Sequence, residues 1–175
     1  MGSLHIVLGP MFSGKTTKLI QVYKMKTYSM KNVAVINYSD DTRYDSKMLS
    51  THDQIKIPCI QLRKLSEFNC CSYDCVLINE GQFFEDLFEN VLKFVEKFHK
   101  EVYIFGLDGD FMRNKFGQIL DLIPYSDTVE KMHAMCDSCH NGTPALFSHR
   151  ISQEMEQMII GSDNYKPLCR NCYNN

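Results

Sequence analysis

The segment Gly9-Pro-Met-Phe-Ser-Gly14-Lys15-Thr16 decides the fold, because it has the spacing G-x-x-x-x-G-K-[ST] of a phosphate-binding loop, or P-loop. An apolar run, His5–Leu8, precedes it, and a helical pattern from Lys15 to about Met30 follows. Backbone N–H groups of such a loop surround phosphates, while Lys15 can reach the β and γ oxygens and the Thr16 hydroxyl can bind Mg²⁺. The segment therefore predicts nucleotide binding, although it does not identify the acceptor of the phosphate.

Three more apolar runs predict buried strands, and an amphipathic stretch predicts a helix. The strand candidates are Val33–Ile36, Val76–Ile78 and Val102–Leu107, and the helix runs from Leu87 to Phe98. Strands that alternate with helices pair in parallel through right-handed crossovers. We therefore predict an α/β fold with helices flanking a parallel sheet, and a long loop over residues 39–53.

The alternation of strands and helices ends near Pro124. The residues after it contain short β-like runs, Thr128–Met132 and Met158–Ile160, among turns and cysteine pairs. We predict a P-loop nucleotide-binding domain over residues 1–127 and a small β-rich lobe over residues 128–175.

Composition restricts the classes of partner. The 175 residues carry a formal net charge of −2 without a Lys/Arg stripe, so a nucleic-acid partner is disfavoured. The N-terminal apolar stretch, Leu4–Leu8, is too short for a signal peptide or for a membrane span of about 20 residues. We expect a soluble cytoplasmic protein with reduced thiols and no membrane partner.

Four of the eight cysteines have the spacing of a zinc site. Cys136-x₂-Cys139 and Cys169-x₂-Cys172 are two knuckles separated by 29 residues, more than the roughly 15–20 of a minimal zinc ribbon. Four thiolates fill a tetrahedral shell and leave no position for water, so the predicted Zn²⁺ is structural. Four free cysteines are the alternative. For the others we predict small buried hydrophobes: Cys59, Cys70, Cys71 and Cys75.

Glu80 is the first carboxylate after the third predicted strand, within Asn79-Glu80-Gly81-Gln82. Ligands of open parallel sheets bind beyond the carboxyl ends of the strands, which would place Glu80 opposite the γ-phosphate. A carboxylate there can take the proton of an acceptor hydroxyl, so Glu80 is the candidate general base. On spacing alone, an exposed glutamate at a strand end is the alternative.

Several ordered motifs together resemble thymidine kinases of the zinc-containing class, which includes cellular cytosolic and poxvirus enzymes. Besides the P-loop and the cysteine knuckles, they are Asp41-Thr42-Arg43-Tyr44, Thr51-His52-Asp53, Glu80-Gly81-Gln82-Phe83-Phe84 and Leu107-Asp108-Gly109-Asp110-Phe111. The resemblance covers nearly the whole chain. It implies transfer of the ATP γ-phosphate to the 5′-hydroxyl of thymidine to give dTMP, with Mg²⁺ and structural Zn²⁺, in a homotetramer that binds dTTP as a feedback inhibitor.

The resemblance also assigns the residues around the phosphates. Glu80 would be the general base, and Asp41 and Arg43 would act near the metal and the transferring oxygens. Without the resemblance, Asp41 and Arg43 are ordinary loop charges. The implied set for ATP and Mg²⁺ is Gly9, Pro10, Met11, Phe12, Ser13, Gly14, Lys15, Thr16, Asp41, Thr42, Arg43, Asn79, Gly81 and Gln82.

The resemblance further implies a thymidine pocket and a lasso-like loop that closes over the nucleoside with backbone amides. Aromatic faces suit a nucleoside, although without the resemblance Phe111 and Phe116 would be assigned to the core. Ser148 would lie near the thymine methyl. The implied pocket residues are Met11, Phe83, Leu107, Phe111, Phe116, Ser148, Ile159, Ile160, Gly161 and Tyr165.

Two positions depart from the family pattern. Asn79 stands where the family has an aspartate, so we expect a weaker contact with the metal. The segment Ile160–Tyr165 is one residue shorter than the usual glycine-glycine lasso segment, which would alter the closed shape of that loop.

Two rival functions remain open. In the first, a nucleic-acid-binding ATPase, the zinc lobe would grip a strand, but the near-neutral charge argues against it. The second is a kinase for another deoxynucleoside.

Overall fold

The computed structural model describes residues 1–38, 48–50, 55–157 and 164–175. The first part of the chain forms β1 (Ser3–Leu8), α1 (Lys15–Tyr28), β2 (Val33–Tyr38), β3 (Met48–Ser50), β4 (Lys56–Pro58), β5 (Ile60–Leu62), β6 (Cys75–Ile78), α2 (Leu87–Leu92), β7 (Glu101–Gly106) and β8 (Thr128–Lys131). The rest forms β9 (Ala134–Met135), β10 (Pro144–Ala145), β11 (Phe147–Arg150), β12 (Tyr165–Leu168) and α3 (Arg170–Asn174). Single 3₁₀ segments lie at Leu65–Glu67, Gly81–Phe83 and Ile119–Tyr125, and a π-helical turn, Lys93–Lys97, continues α2.

The central element is a six-stranded sheet in the order β5-β2-β6-β7-β1-β8. Every neighbouring pair in it is parallel. The predicted α/β fold with a parallel sheet is confirmed. Because β6, β7 and β1 are neighbours, their carboxyl ends lie side by side at one edge, which holds the P-loop and the segment of Glu80.

Alternation of side chains along each strand supplies both faces of the sheet with apolar surface. On one face, Leu19 and Ile20 of α1 pack against Val7 and Phe105. The other face carries Ile6 and its neighbours, which α2 and the 3₁₀ segment Ile119–Tyr125 cover. Helices on both faces explain why the central strands are continuous apolar runs rather than alternating ones.

Two stretches differ from the sequence prediction. Thr128–Lys131, expected in the small lobe, is strand β8 of the central sheet and pairs with β1, because it continues the parallel layer at an open edge. Met48–Ser50, expected to be loop, pairs antiparallel with β4, and Leu49 and Ile57 of this hairpin are buried against the core under α1. The division into two domains stays a prediction.

The small β-rich region is built from two antiparallel pairs, β9 with β10 and β11 with β12. Its own core contains Ala134, Ala145 and Leu168 together with Cys136 and Cys169. So small a core needs additional stabilisation, which the cysteine cluster described below can provide. None of the helices within the described ranges combines the length and apolar character that a bilayer crossing requires.

Candidate active site

The P-loop connects β1 to α1 and encloses its lysine. Gly14 precedes α1 with φ 83° and ψ 15°, a left-handed conformation that favours glycine. Lys15 Nζ is buried and donates to the carbonyl oxygens of Gly9 at 3.0 Å and Pro10 at 2.7 Å. Burial lowers the pKa of Lys15, and the negative charges of Glu80 and Asp108 oppose this shift. Both carboxylates therefore lie close to the loop cation.

The loop also contains a buried hydroxyl without a partner. Among the described residues, Ser13 Oγ is buried and makes no hydrogen bond. A buried polar atom in this state costs free energy unless a ligand or water satisfies it. A hydroxyl donor and a buried ammonium in the same loop suit an anionic phosphate, and Thr16 in the first turn of α1 offers a hydroxyl for Mg²⁺. The residues present thus fit a metal-bound nucleoside triphosphate.

Gln82 orients Glu80 and connects it to β7. Its Nε2 donates to Glu80 Oε2 at 2.7 Å, and its Oε1 accepts from the backbone N–H of Leu107 at 3.1 Å. A Cβ on Gly106 would lie 2.5 Å from this Oε1, so glycine is required for the side chain to approach the strand end. The carboxylate is held between the ends of β6 and β7.

Glu80 itself has φ 52° and ψ 46°, the left-handed region that non-glycine residues rarely adopt. Such a conformation costs about 1–3 kcal/mol and persists where the surroundings enforce it, most often at functional sites. This backbone conformation therefore marks Glu80 as a candidate functional residue.

Asn79 is buried and pairs with a second asparagine. Its Nδ2 donates to Asn37 Oδ1 at 2.8 Å, and Asn37 Nδ2 donates to Gln61 Oε1 at a long 3.4 Å. The amide nitrogen of Asn79 is therefore engaged on β2. Sequence reasoning missed Asn37, although an asparagine within the apolar run of β2 was a signal of a buried polar contact.

The four predicted zinc ligands form a cluster. The Sγ atoms of Cys136, Cys139, Cys169 and Cys172 all lie within 4.8 Å of one another. Cys139 Sγ is 3.4 Å from that of Cys172 and 3.7 Å from that of Cys169. A tetrahedral ion with metal–sulfur bonds of about 2.3 Å separates its sulfurs by ~3.8 Å, so the cluster fits Zn²⁺.

One thiol of the cluster is already biased toward the thiolate. The backbone N–H of Cys169 donates to Cys136 Sγ at 3.3 Å. Together with the N–H groups of Cys139 and Ser138, it lowers the pKa of Cys136 to about 6. Donors that stabilise the charged form favour metal binding, because the ligand is the thiolate.

A hydrogen bond links β11, in the region of the cysteine cluster, to the P-loop. Ser148 on β11 is buried, and its Oγ accepts from the backbone N–H of Met11 at 2.9 Å. This contact places β11 beside the phosphate-binding loop.

Comparison with known proteins decides the family. A family model described as "Thymidine kinase" matches residues 2–173. The chain belongs to the thymidine kinase family. The relative from Yaba monkey tumor virus (strain VR587), "Thymidine kinase", is 43% identical over 175 residues, which cover 98% of this chain and 94% of the viral one.

Two plant relatives, which are also named as thymidine kinases, have longer chains. "Thymidine kinase" of Oryza sativa subsp. japonica is 40% identical over 181 residues, which cover 98% of this chain and 66% of the rice protein. "Thymidine kinase a" of Arabidopsis thaliana is 39% identical over 180 residues, which cover 98% of this chain and 75% of the plant protein.

Four of the predicted pocket residues contact one another in two pairs, Met11 with Ser148 and Phe83 with Phe116. The rings of Phe83 and Phe116 pack edge to face with centroids 5.6 Å apart, and Phe116 is buried. Phe111 and Tyr165 both contact Arg150, which sequence reasoning missed. Six predicted site residues lie outside the described residues: Asp41, Thr42, Arg43, Ile159, Ile160 and Gly161.

An ion pair that sequence analysis did not predict lies at the same edge of the sheet. Lys131 Nζ is 2.6 Å from Asp108 Oδ2. Asp108 follows β7 and Lys131 ends β8. These strands lie on either side of β1, so the ion pair lies near the base of the P-loop. Sequence analysis could have found this pair, because both residues lie at the carboxyl ends of strands, where ligands of parallel sheets bind.

The prediction for the other cysteines is wrong for one of them. Cys70 and Cys75 are buried and Cys59 is half-buried, but Cys71 is exposed. It lies in the turn before β6, where the chain leaves the core. Burial raises the pKa of Cys75 to about 12, which makes this thiol inert.

Proposed function

We propose that the protein is an ATP-dependent thymidine kinase that converts thymidine to dTMP and releases ADP. The observation that carries the proposal is that Gln82 holds Glu80 at the carboxyl ends of β6 and β7, beside β1 and its P-loop, in a chain of the thymidine kinase family. A carboxylate next to a phosphate cradle is what phosphoryl transfer to a hydroxyl needs.

The chemistry follows from these groups. The 5′-hydroxyl oxygen of thymidine forms a bond to the γ-phosphorus, the bond from that phosphorus to the β,γ-bridging oxygen breaks, and Glu80 takes the hydroxyl proton. Gln82 keeps the carboxylate oriented through the hydrogen bond to Oε2. Lys15 and Arg43 neutralise charge on the phosphate oxygens. Bound Mg²⁺, held through Thr16, Asp41 and Asn79, would neutralise charge between the β and γ phosphates.

The acceptor side lies between the P-loop and β11 in this proposal. Met11 and Ser148 are in contact there, and the aromatic pair Phe83 and Phe116 supplies apolar ring surface. The nucleoside would contact Leu107, Phe111, Ile159, Ile160, Gly161 and Tyr165 as well.

The remaining parts of the proposal concern the metal, the assembly and the compartment. Zn²⁺ in the cysteine cluster is structural, since four thiolates complete its shell. We also retain a homotetramer with feedback binding of dTTP, which family membership supports. The proposed compartment is the reducing cytoplasm, where the thiols of the cluster stay available to the metal.

The test is a transfer assay with γ-³²P-labelled ATP. Thymidine, deoxyuridine and deoxycytidine are compared as acceptors at equal concentration, and labelled monophosphates are separated by chromatography. We expect efficient labelling of thymidine and poor labelling of deoxycytidine. Efficient labelling of deoxycytidine would show that the acceptor is another deoxynucleoside. ATP hydrolysis that depends on single-stranded DNA and not on a nucleoside would contradict the proposed kinase activity.

A further inference from the structure

Arg150 is a buried guanidinium whose donors are fully used. Its exposed fraction is 5%, and it lies at the end of β11. Nε and Nη2 donate to the Tyr165 hydroxyl, Nη1 donates to the carbonyl oxygens of Glu154 and Glu156, and Nη2 also donates to that of Gln157. A guanidinium has five N–H donors, so five acceptor contacts exhaust its capacity.

The charge of Arg150 is compensated by dipoles and a ring. Among the described residues, no carboxylate lies within ion-pair distance of it. Instead its Cζ lies 3.8 Å from the centroid of the Phe111 ring, the distance of a stacked cation–π contact. Three carbonyl oxygens and an aromatic face replace a counter-ion, an arrangement that only a planar cation can satisfy.

These contacts join three separate parts of the chain. Phe111 follows β7, the carbonyl oxygens come from residues 154–157, and Tyr165 begins β12 opposite Arg150. Gln157 adds a second connection, because its Nε2 donates to Asp110 Oδ2 at 2.8 Å, next to Phe111. Arg150 therefore fixes the ring of Phe111 and the hydroxyl of Tyr165 relative to each other.

The same strand carries the link to the P-loop. Ser148 and Arg150 are two residues apart on β11, so their side chains point to the same, buried face. One of them accepts from the backbone of Met11 and the other holds Phe111. A shift of the Arg150 side chain would move the acceptor-side residues without touching Lys15.

We propose that Arg150 is a positioning residue for the acceptor nucleoside: it fixes Phe111 and Tyr165 in the geometry that binds the base and sugar. The proposal rests on the proposed function, in which Phe111 and Tyr165 contact thymidine. In this proposal Arg150 acts through Phe111 and Tyr165 and not by direct contact with a substrate, so its replacement should affect acceptor binding and not ATP binding.

The test uses Arg150→Lys in the full-length protein, with Arg113→Lys as the matched control. Lysine keeps the charge but offers three donors and no planar face. Arg113 also stacks on aromatic rings of this region, Phe147 and Tyr173, but is exposed. We expect Arg150→Lys to raise the KM for thymidine by about 10-fold or more, with the KM for ATP and the zinc content within about 2-fold of wild type. The control should change neither KM.

A second variant keeps the inference testable if Arg150→Lys does not fold. Tyr165→Phe removes only the hydroxyl that accepts from Arg150, and we expect a smaller rise in the KM for thymidine, again without change for ATP. In the double variant the increase in the KM for thymidine should be smaller than the product of the two single increases. Both substitutions break the same hydrogen bonds, those between Arg150 and Tyr165.

The outcomes separate this inference from the function on which it rests. A wild-type protein that does not phosphorylate thymidine would overturn both. If the wild type phosphorylates thymidine, the proposed function is supported. The inference about Arg150 alone would then fail if the KM for thymidine of both variants stayed within about 2-fold of wild type. It would also fail if the KM for ATP rose as much as that for thymidine, since this would indicate a general structural role.

Discussion

The hydroxyl of Ser148 accepts a hydrogen bond from the backbone N–H of Met11 at 2.9 Å, although 137 residues separate the two in the chain. The contact connects β11, in the region of the cysteine cluster, with the P-loop between β1 and α1. It therefore links the small β-rich region directly to the P-loop.

Replacing Ser148 with alanine tests this connection. The change leaves the N–H of Met11 without its acceptor, which costs about 1–3 kcal/mol when the group stays buried. We expect a lower melting temperature and a KM for thymidine that rises several-fold. Thermal unfolding and steady-state kinetics measure both effects, with Ser72→Ala at an exposed position as the control. Unchanged stability and kinetics would mean that the contact has no energetic role.

Replacing Glu80 with glutamine tests the general base. Glutamine keeps the size and an acceptor oxygen but cannot take a proton. We expect both substrates to bind while kcat falls by a factor on the order of 10²–10⁴, the usual contribution of a positioned base. Glu85→Gln, at an exposed position five residues on, is the control and should keep wild-type kcat. Wild-type turnover in Glu80→Gln would refute the assignment.

Replacing Cys136 or Cys172 with serine tests the metal cluster. Loss of one thiolate breaks a closed four-sulfur shell, and structural zinc contributes folding free energy that a core this small cannot replace. We expect the zinc content to fall and the affinity for thymidine to drop more than that for ATP. Elemental analysis and equilibrium binding provide the measurements, and Cys71→Ser is the control because Cys71 is exposed. A wild-type protein without zinc would contradict the prediction.

Replacing Asn79 with aspartate tests the departure from the family pattern. A carboxylate adds negative charge near the proposed metal, and hydrogen bonds to ionised groups are about twice as strong as neutral ones. Asn37 can turn its amide to donate to the new carboxylate, since its present bond to Gln61 is a long 3.4 Å. We expect the Mg²⁺ concentration for half-maximal rate to fall by roughly ten-fold, equivalent to about 1–2 kcal/mol.

The measurement for Asn79→Asp is a Mg²⁺ titration at saturating thymidine. Asn69→Asp is a suitable control, because an aspartate there keeps the acceptor oxygen that Cys71 N–H uses. Coincident curves for wild type and Asn79→Asp would show that residue 79 does not face the metal.

Glu101 predicts a pH-dependent contribution to stability far from the substrate site. Burial alone would raise the pKa of Glu101, but hydrogen bonds from Lys26 and Lys31 outweigh it and leave the pKa lowered from 4.5. A lowered native pKa means that the ion pairs stabilise the protein above the unfolded pKa. This contribution is lost as the pH falls through the native pKa.

We therefore expect Glu101→Gln to lower the free energy of unfolding at pH 7 by on the order of 1 kcal/mol. The difference from wild type should vanish when the pH falls well below 4.5. Denaturant titrations over this range measure it, and exposed Glu96→Gln is the control. A difference that does not change with pH would assign the effect to packing instead of charge.

Sequence by itself determined the parts of this protein whose information is local. The P-loop spacing between an apolar run and a helical pattern predicted β1, the loop and α1, because each of these features depends on neighbouring residues. The two cysteine knuckles predicted their cluster for the same reason, since a metal-ligand spacing is a property of a short segment.

Only the tertiary structure decided the contacts that join distant segments. Thr128–Lys131 became a strand of the central sheet because an open edge was available beside β1, which no local pattern reveals. Asn37 and Asn79 form a hydrogen bond because β2 and β6 are neighbours in the sheet, although they are not consecutive in the chain. Arg150 owes its role to main-chain carbonyl oxygens and an aromatic ring face, and since every residue has a carbonyl, no sequence pattern distinguishes those that a buried guanidinium will use.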